Sequence, residues 1–186
     1  MQALGRWFKK PAMSVAHPHT SDSLFDRFRE LGIEFEIHSH AAVFTVEESK
    51  FLRGTLPGAH TKNLFLRDKK KRFWLLTALE SQTVDLKALR RHLGAKGSLS
   101  FGSPEMLADN LGVTPGSVTP FAVINDTDGH VTMLLDRTLL DMDPVNAHPL
   151  RNDMTVAVAP VDLVRFLEHH DHKPEIIDLG LLAQPD

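Results

Sequence analysis

The chain of 186 residues contains no cysteine. That absence removes a disulfide framework, a thiol nucleophile, thiolate metal ligands and iron–sulfur ligation, and it fits a reducing compartment. Long apolar runs are also missing. Stretches such as Phe73 to Leu76 and Thr155 to Ala159 fall far short of the about 20 residues needed to cross a bilayer. A soluble protein with no membrane partner is expected. The amino end, MQALGRWFKKPAMSVAHPHT, is basic but lacks the apolar stretch of about 7 to 15 residues that a secretory signal carries, so a cytoplasmic location is expected. A strong positive balance is absent too, since 21 Lys and Arg face 24 Asp and Glu for a net charge of −3. Such a chain does not coat nucleic acid indiscriminately: DNA is not an expected partner, and any RNA contact has to be local.

Several catalytic signatures are missing. There is no GxSxG elbow and no GxxxxGK[ST] phosphate loop, and no HExxH pair that would place two histidines and a general base on one helix face. The 11 histidines include His17 with His19, His38 with His40, and the trio His169, His170 and His172. None has a metal-ligand spacing, so they read as exposed or tail residues, and no metal or other cofactor is expected. The acidic pairs Asp126 with Asp128 and Asp141 with Asp143 sit where Asp favours local turns.

The length suits one domain with a substantial core. Residues 1–20 read as a mobile extension, 21–175 as the domain and 176–186 as a tail, with the chain after Lys173 loosely pinned. SDSLFDRFRELG has a cap cluster, apolar residues at helical spacing and a Gly stop, which predicts a helix from Ser21. Ile33, Phe35 and Ile37 alternate with Glu34 and Glu36 as in a half-wet strand, and Thr45 with Glu48 forms a capping box for a short helix. Two apolar runs flank a lysine-rich turn in NLFLRDKKKRFWLLTAL, which predicts a β-hairpin. Helices follow at Asp85 to Leu93 and from Ser103 to Gly112. FAVIN and HVTMLLD then read as a second hairpin around DTDG, DMDPVNAHPLRND as irregular, TVAVA as a strand, and Val161 to His169 as a helix. Interspersed helices and hairpins make the fold class α+β with a mixed sheet.

Four features carry possible chemistry. Lys62 stands at the mouth of a core strand, where it either presents its ammonium to a cleft or snorkels like an ordinary surface lysine. The loop Gly116, Ser117, Val118, Thr119, Pro120 offers the amides of Ser117, Val118 and Thr119 to a carbonyl or carboxylate, with Gly allowing close approach and Pro stiffening the exit. His148 lies in an irregular segment before a buried strand and is either a site residue or structural. Lys69, Lys70, Lys71 and Arg72 crown the first hairpin near Phe65, Phe73 and Trp74, either tracking a phosphate backbone or forming a solvated turn.

In order along the chain, TKNLFLRDKKKRFWLLTAL, LSFGSPEML, GVTPGSVTPFAVINDTDGHVTMLLD and NAHPLRNDMTVAV resemble the YbaK-type aminoacyl-tRNA deacylases. The free-standing ProX (PrdX) branch is the nearest in pattern, and it is similar to the editing insertion domain of bacterial prolyl-tRNA synthetases. The resemblance spans about residues 20 to 175. It implies a bifurcated mixed sheet and hydrolysis of alanine mischarged onto tRNA(Pro), with prolyl-tRNA synthetase as a candidate partner. The family lysine falls on Lys62, its neighbour on Asn63, the G-x-x-x-P loop on Gly116 to Pro120 and the family histidine on His148. An activated ester needs chiefly a positioned water and stabilisation of the developing oxyanion, so the absence of a protein nucleophile is coherent with that chemistry. A pocket sized for a methyl side chain, lined by His148 and small loop residues, would exclude the proline ring. Three alternatives stay open on sequence: a deacylase of cysteine or serine esters, a non-catalytic tRNA or amino-acid binding module, and a histidine-based metal hydrolase.

Overall fold

The fold is organised around the lysine-crowned hairpin. Its strands β2 (Ala59–Arg67) and β3 (Phe73–Leu79) are antiparallel, with Lys62 opposite Ala78 and Asn63 opposite Thr77. The structure is a computed structural model and describes residues 18–40 and 56–184. The short helix expected from Thr45 and Glu48 lies outside the described residues, as does most of the expected extension.

From β3 the sheet continues in parallel to β5 (Val131–Asp136) and β8 (Glu175–Ile177). On the other side of β2, β6 (Val145–Ala147) pairs in parallel with Ala59 and His60. It is followed outward by antiparallel β7 (Met154–Val158) and β1 (Phe35–Ser39). The strand order is β1-β7-β6-β2-β3-β5-β8, and the two-residue β4 (Ser100–Phe101) pairs with Leu66 and Arg67. One edge of β2 is therefore taken by β6 at its start and by β4 at its end. Between them, residues 61–64 have no strand partner on that side among the described residues. This gap is where the mixed sheet bifurcates.

Helices α1 (Ser21–Glu30), α2 (Leu86–His92), α3 (Pro104–Leu111), α4 (Pro160–His169) and α5 (Leu179–Leu182) flank the sheet. Their starts follow local chemistry: the side chains of Thr20, Asp85 and Ser103 accept the orphan amides of α1, α2 and α3, and Pro occupies the first turn of α3 and α4. Alternation along β3 divides the core. Leu75 packs with Leu24, Phe28, Phe121, Met133 and Phe166 on one face, and Trp74, Leu76 and Ala78 pack with Leu66, Leu89, Leu134 and Ile177 on the other. Phe28, Phe121 and Phe166 meet edge to face with centroids 5.0–5.4 Å apart, a geometry that adds roughly 0.5–1.5 kcal/mol per pair beyond burial.

Several expectations are corrected. Pro120–Asn125 is a 3-10 helix and not a strand, with Phe121 to Ile124 all buried. A short continuous apolar run has no period that separates a buried strand from a buried helical turn, and here Pro120 and the Thr119 cap decide. The second hairpin is consequently absent, since both partners of β5 are parallel. The irregular stretch 141–153 contains β6, and the chain after Lys173 is fixed by β8 and α5, with Ile177 and Leu179 buried. The first strand also shifts two residues along, because the Ile33 amide donates to the Phe28 carbonyl at 2.9 Å and closes the end of α1.

The 3-10 helix is tied to the end of α4 by a buried pair. Asp126 and His172 are 4% and 5% exposed, and Asp126 Oδ2 accepts from His172 Nε2 at 3.0 Å and from the Val131 amide at 2.7 Å. Burial pulls His172 down, but the Asp126 carboxylate and the His170 carbonyl outweigh it, so His172 titrates above its ordinary 6.5. Burial pushes Asp126 up, and the His172 hydrogen bond with the His130 and Val131 amides holds it below its ordinary 3.8. A raised histidine stabilises fully below its unfolded value and loses that stabilisation as pH rises through its folded value. His170, pushed down to about 4 chiefly by burial, opposes this on the acid side. Because both proteins retain His170, the comparison of wild type with His172→Gln isolates the pair. Urea unfolding is expected to show the variant less stable by about 3 kcal/mol near pH 6, with the gap narrowing toward about pH 9. A gap that widens with pH would contradict the assignment.

Candidate functional site

The site forms where β2 loses its partner. Thr61 and Asn63 bracket the gap, and each reaches out of the strand to a different segment. Thr61 Oγ1 donates to the Asn146 carbonyl of β6 at 2.9 Å, and Asn63 Nδ2 donates to the Val118 carbonyl at 3.0 Å. Asn63 is oriented by the fully buried Thr77 opposite it, whose hydroxyl donates to Asn63 Oδ1 at 2.7 Å. Both ends of the carboxamide are thus engaged, and the loop at Gly116–Pro120 is fixed against β2.

The loop begins with a turn in which the Ser117 amide donates to the Thr114 carbonyl at 3.0 Å and Gly116 has φ +90°. Pro115 and Gly116 occupy the two central positions, as a type II turn requires. The nearest atom to a Cβ at Gly116 is Asn152 Nδ2 at 3.7 Å, so backbone conformation and not space demands glycine here. The turn consumes the Ser117 amide, correcting the expectation that three loop amides are available. Those of Val118 and Thr119 donate to no acceptor among the described residues. Thr119 is fully buried, and its hydroxyl caps the following 3-10 helix.

Lys62 leaves β2 on the face opposite Asn63, as strand alternation dictates. Its ammonium donates to the Gln82 carbonyl beyond β3. The partner is neutral, and no carboxylate among the described residues forms an ion pair with Lys62. The structure therefore joins Asn63 to the loop, and brings Lys62 to the same gap from the other side without a contact between the two.

His148 follows β6, and its Nδ1 lies 3.0 Å from the Met154 carbonyl. A carbonyl only accepts, so Nδ1 carries the proton. The ring stands 6.5 Å from that of His40, whose Nε2 pairs with Thr155 Oγ1 at 3.1 Å. Two further residues belong to the gap and were not found by sequence reasoning: Asn152, which faces the Gly116 turn, and Asn146. The Asn146 amide nitrogen donates to the Pro57 carbonyl at 2.8 Å, while its Oδ1 is buried with no hydrogen-bond partner. Their only sequence signal was membership of a segment read as irregular. Among the described residues no group of three His, Asp or Glu is placed to hold a metal ion, and no helix is long and apolar enough to cross a membrane.

Lys69, Lys70, Lys71 and Arg72 lie at the far end of the hairpin, about 20 Å from Lys62 at strand rise. They are not part of the gap. Their turn closes on Asp68, 1% exposed, whose carboxylate accepts from the amides of Lys70, Arg72 and Lys96 and from the Arg72 guanidinium at 2.7–3.1 Å. Burial acts to raise Asp68, but those donors hold it well below the ordinary carboxylate range.

Residues 40–166 match the model of the aminoacyl-tRNA editing domain family. The chain is 38% identical over 166 residues to the zebrafish (Danio rerio) prolyl-tRNA synthetase associated domain-containing protein 1, covering 88% of this chain and 90% of that protein. It is 34% identical over 151 residues to the prolyl-tRNA editing protein ProX of Acetoanaerobium sticklandii, covering 81% and 92%. Among solved structures, a proposed trans-editing enzyme for prolyl-tRNA synthetase superposes with a TM-score of 0.66 at 19% identity, covering 90% of this chain and 98% of that one. The hypothetical protein APE2540 does so with a TM-score of 0.67 at 16% identity, covering 84% and 97%. At those identities the superpositions establish the shared fold.

Replacing Asn63 by Ala strands the buried Thr77 hydroxyl and releases the Val118 carbonyl. The expected loss is about 1–3 kcal/mol in urea unfolding, with faster amide hydrogen exchange at Val118 and Thr119. Unchanged exchange at both positions would show that the loop holds itself.

Proposed function

The chain belongs to the aminoacyl-tRNA editing domain family, and from that premise we propose that it is a trans-acting deacylase that removes alanine mischarged onto tRNA(Pro) by prolyl-tRNA synthetase. The observation that carries this reading is the Asn63 bridge, which fixes against β2 a loop whose Val118 and Thr119 amides donate to no acceptor among the described residues, while Lys62, on the other face of the strand, donates to a neutral carbonyl. Relatives whose names refer to prolyl-tRNA synthetase and prolyl-tRNA editing support the choice of tRNA.

In this mechanism the ester carbonyl oxygen sits against the Val118 amide at the edge of the loop, which the buried Thr119 holds in place. Water attacks the carbonyl carbon, and the charge that develops on oxygen is taken up by a donor that needs no reorganisation. Collapse of the tetrahedral intermediate breaks the bond to the ribose oxygen, which leaves with a proton, and alanine departs as the free acid. The ribose 2′-hydroxyl of the substrate orients the water, so no protein general base is needed. The Lys62 ammonium exchanges the Gln82 carbonyl for a phosphate or ester oxygen at the 3′ end. The Nδ1 proton of His148 is held by Met154, which fixes the ring as a wall of the pocket. Proline is rejected because its ring exceeds a pocket that accepts a methyl group, the logic of a second sieve.

Single-turnover hydrolysis of alanyl-, prolyl- and cysteinyl-tRNA(Pro) tests the reading. The expected result is rapid loss of the alanyl ester alone, slowed about 100-fold in Lys62→Ala. Preferential loss of the cysteinyl ester would reassign the specificity. Tight binding of all three without acceleration over buffer would overturn the enzyme reading in favour of a binding module.

A further inference from the structure

We propose that the cleft at the turn end of the β2–β3 hairpin seats the phosphodiester backbone of the RNA arm whose 3′ end carries the ester; this rests on the deacylase reading above. The cleft has a volume of about 600 Å³ and is lined by Lys71, Arg72, Trp74, His92, His130 and Glu175, among others. It is separate from the gap at Lys62. Charge is concentrated around it: residues 67–96 hold nine Lys or Arg against three Asp or Glu, so a chain of net charge −3 carries +6 in this window and −9 elsewhere.

Two hydrogen bonds make the charge one surface. The Lys69 amide donates to the Lys96 carbonyl at 2.9 Å and Arg72 Nη2 to the Gly94 carbonyl at 2.8 Å, locking the turn to the loop after α2. Among the described residues Asp68 forms an ion pair with Arg72 alone. Lys69, Lys70, Lys71, Arg91 and Lys96 are exposed and have no carboxylate partner among the described residues. The acid at the rim, Glu175, is engaged by His92 Nε2 at 2.7 Å. Free cations on a rigid frame suit a polyanion.

The aromatic residues define the mode of binding. Trp74 is 4% exposed and lies under the Arg72 guanidinium, 5.1 Å from its ring centroid, so its indole face is not open for a base to stack on. The cleft offers its charge to phosphates, and phosphate contacts position a nucleic acid without reading its sequence. Its spacing from the ester site fits as well. About 20 Å along β2 corresponds to about six nucleotides of stacked strand at 3.4 Å each, so one RNA arm reaches both places.

The test uses the full chain and the double variant Lys70→Glu with Lys71→Glu, checked for folding by circular dichroism. Fluorescence anisotropy with uncharged tRNA(Pro) is run between 50 and 200 mM salt, and hydrolysis is followed on alanyl-tRNA(Pro) and on 3′-alanyl-adenosine, which has no RNA arm. The expected result is at least tenfold weaker tRNA binding, a salt slope reduced by about 2, and a raised KM for alanyl-tRNA(Pro) with unchanged hydrolysis of alanyl-adenosine. Lys62→Ala is expected to slow hydrolysis of alanyl-tRNA(Pro) while lowering the salt slope by no more than about 1. Unchanged tRNA affinity and slope in the double variant would overturn the proposal, as would an equal loss on both esters. If the wild type hydrolyses neither ester, the deacylase reading fails, and the anisotropy arm still decides the cleft.

Discussion

One carboxamide holds the proposed site together. Asn63 accepts from the buried Thr77 hydroxyl on the neighbouring strand and donates to the Val118 carbonyl of a loop 55 residues away in sequence. Without that bridge, no hydrogen bond among the described residues joins the loop to β2. With it, the amides of Val118 and Thr119 have a fixed relation to residues 61–64 of β2, which have no strand partner on one side among the described residues. Everything around the bridge serves to keep both ends in place. Thr61 binds β2 to β6, the Thr119 hydroxyl starts the 3-10 helix, and Asp126 at the end of that helix is anchored to His172 behind α4.

The division of labour between the two ends of the hairpin follows from strand geometry. Lys62 and the lysine turn sit on the same pair of strands, so their separation is set by a rigid element rather than by a mobile loop. A protein of negative overall charge can then approach an RNA with one basic end while its remaining surface is repelled. Attraction that is local and sequence-blind suits an editing protein, which has to release every substrate it does not hydrolyse.

Features governed by neighbouring residues were readable in the sequence. Asp85 and Ser103 cap the helices they were expected to begin, Thr20 caps the helix expected from Ser21, and the apolar runs about the lysine turn form the hairpin. Long-range features were not readable. β6 and β8 are three residues each and exist because a partner strand is already present. Phe121 to Ile124 are buried all round, so their pattern was silent about helix or strand. For the site, the resemblance marked Lys62, Asn63, the loop and His148, but alternation alone could have shown that Lys62 and Asn63 project from opposite faces. The use of the Ser117 amide within its own turn was also implicit in Pro115 and Gly116. Asn146 and Asn152 carried no local signal, since their importance comes only from what the fold places beside them.

The central claim is that the ester carbonyl rests on the Val118 amide of the loop fixed by Asn63, with Lys62 reaching the substrate from the other face of β2. It is tested most directly by titrating 15N-labelled protein with 3′-alanylamido-adenosine, in which an amide replaces the scissile ester. The account predicts that the largest amide shifts fall on Val118 and Thr119, with the Lys62 ammonium signal moving in parallel and the Trp74 and His130 amides at the distant cleft unmoved. Shifts centred on that cleft, with Val118 and Thr119 unchanged, would contradict it.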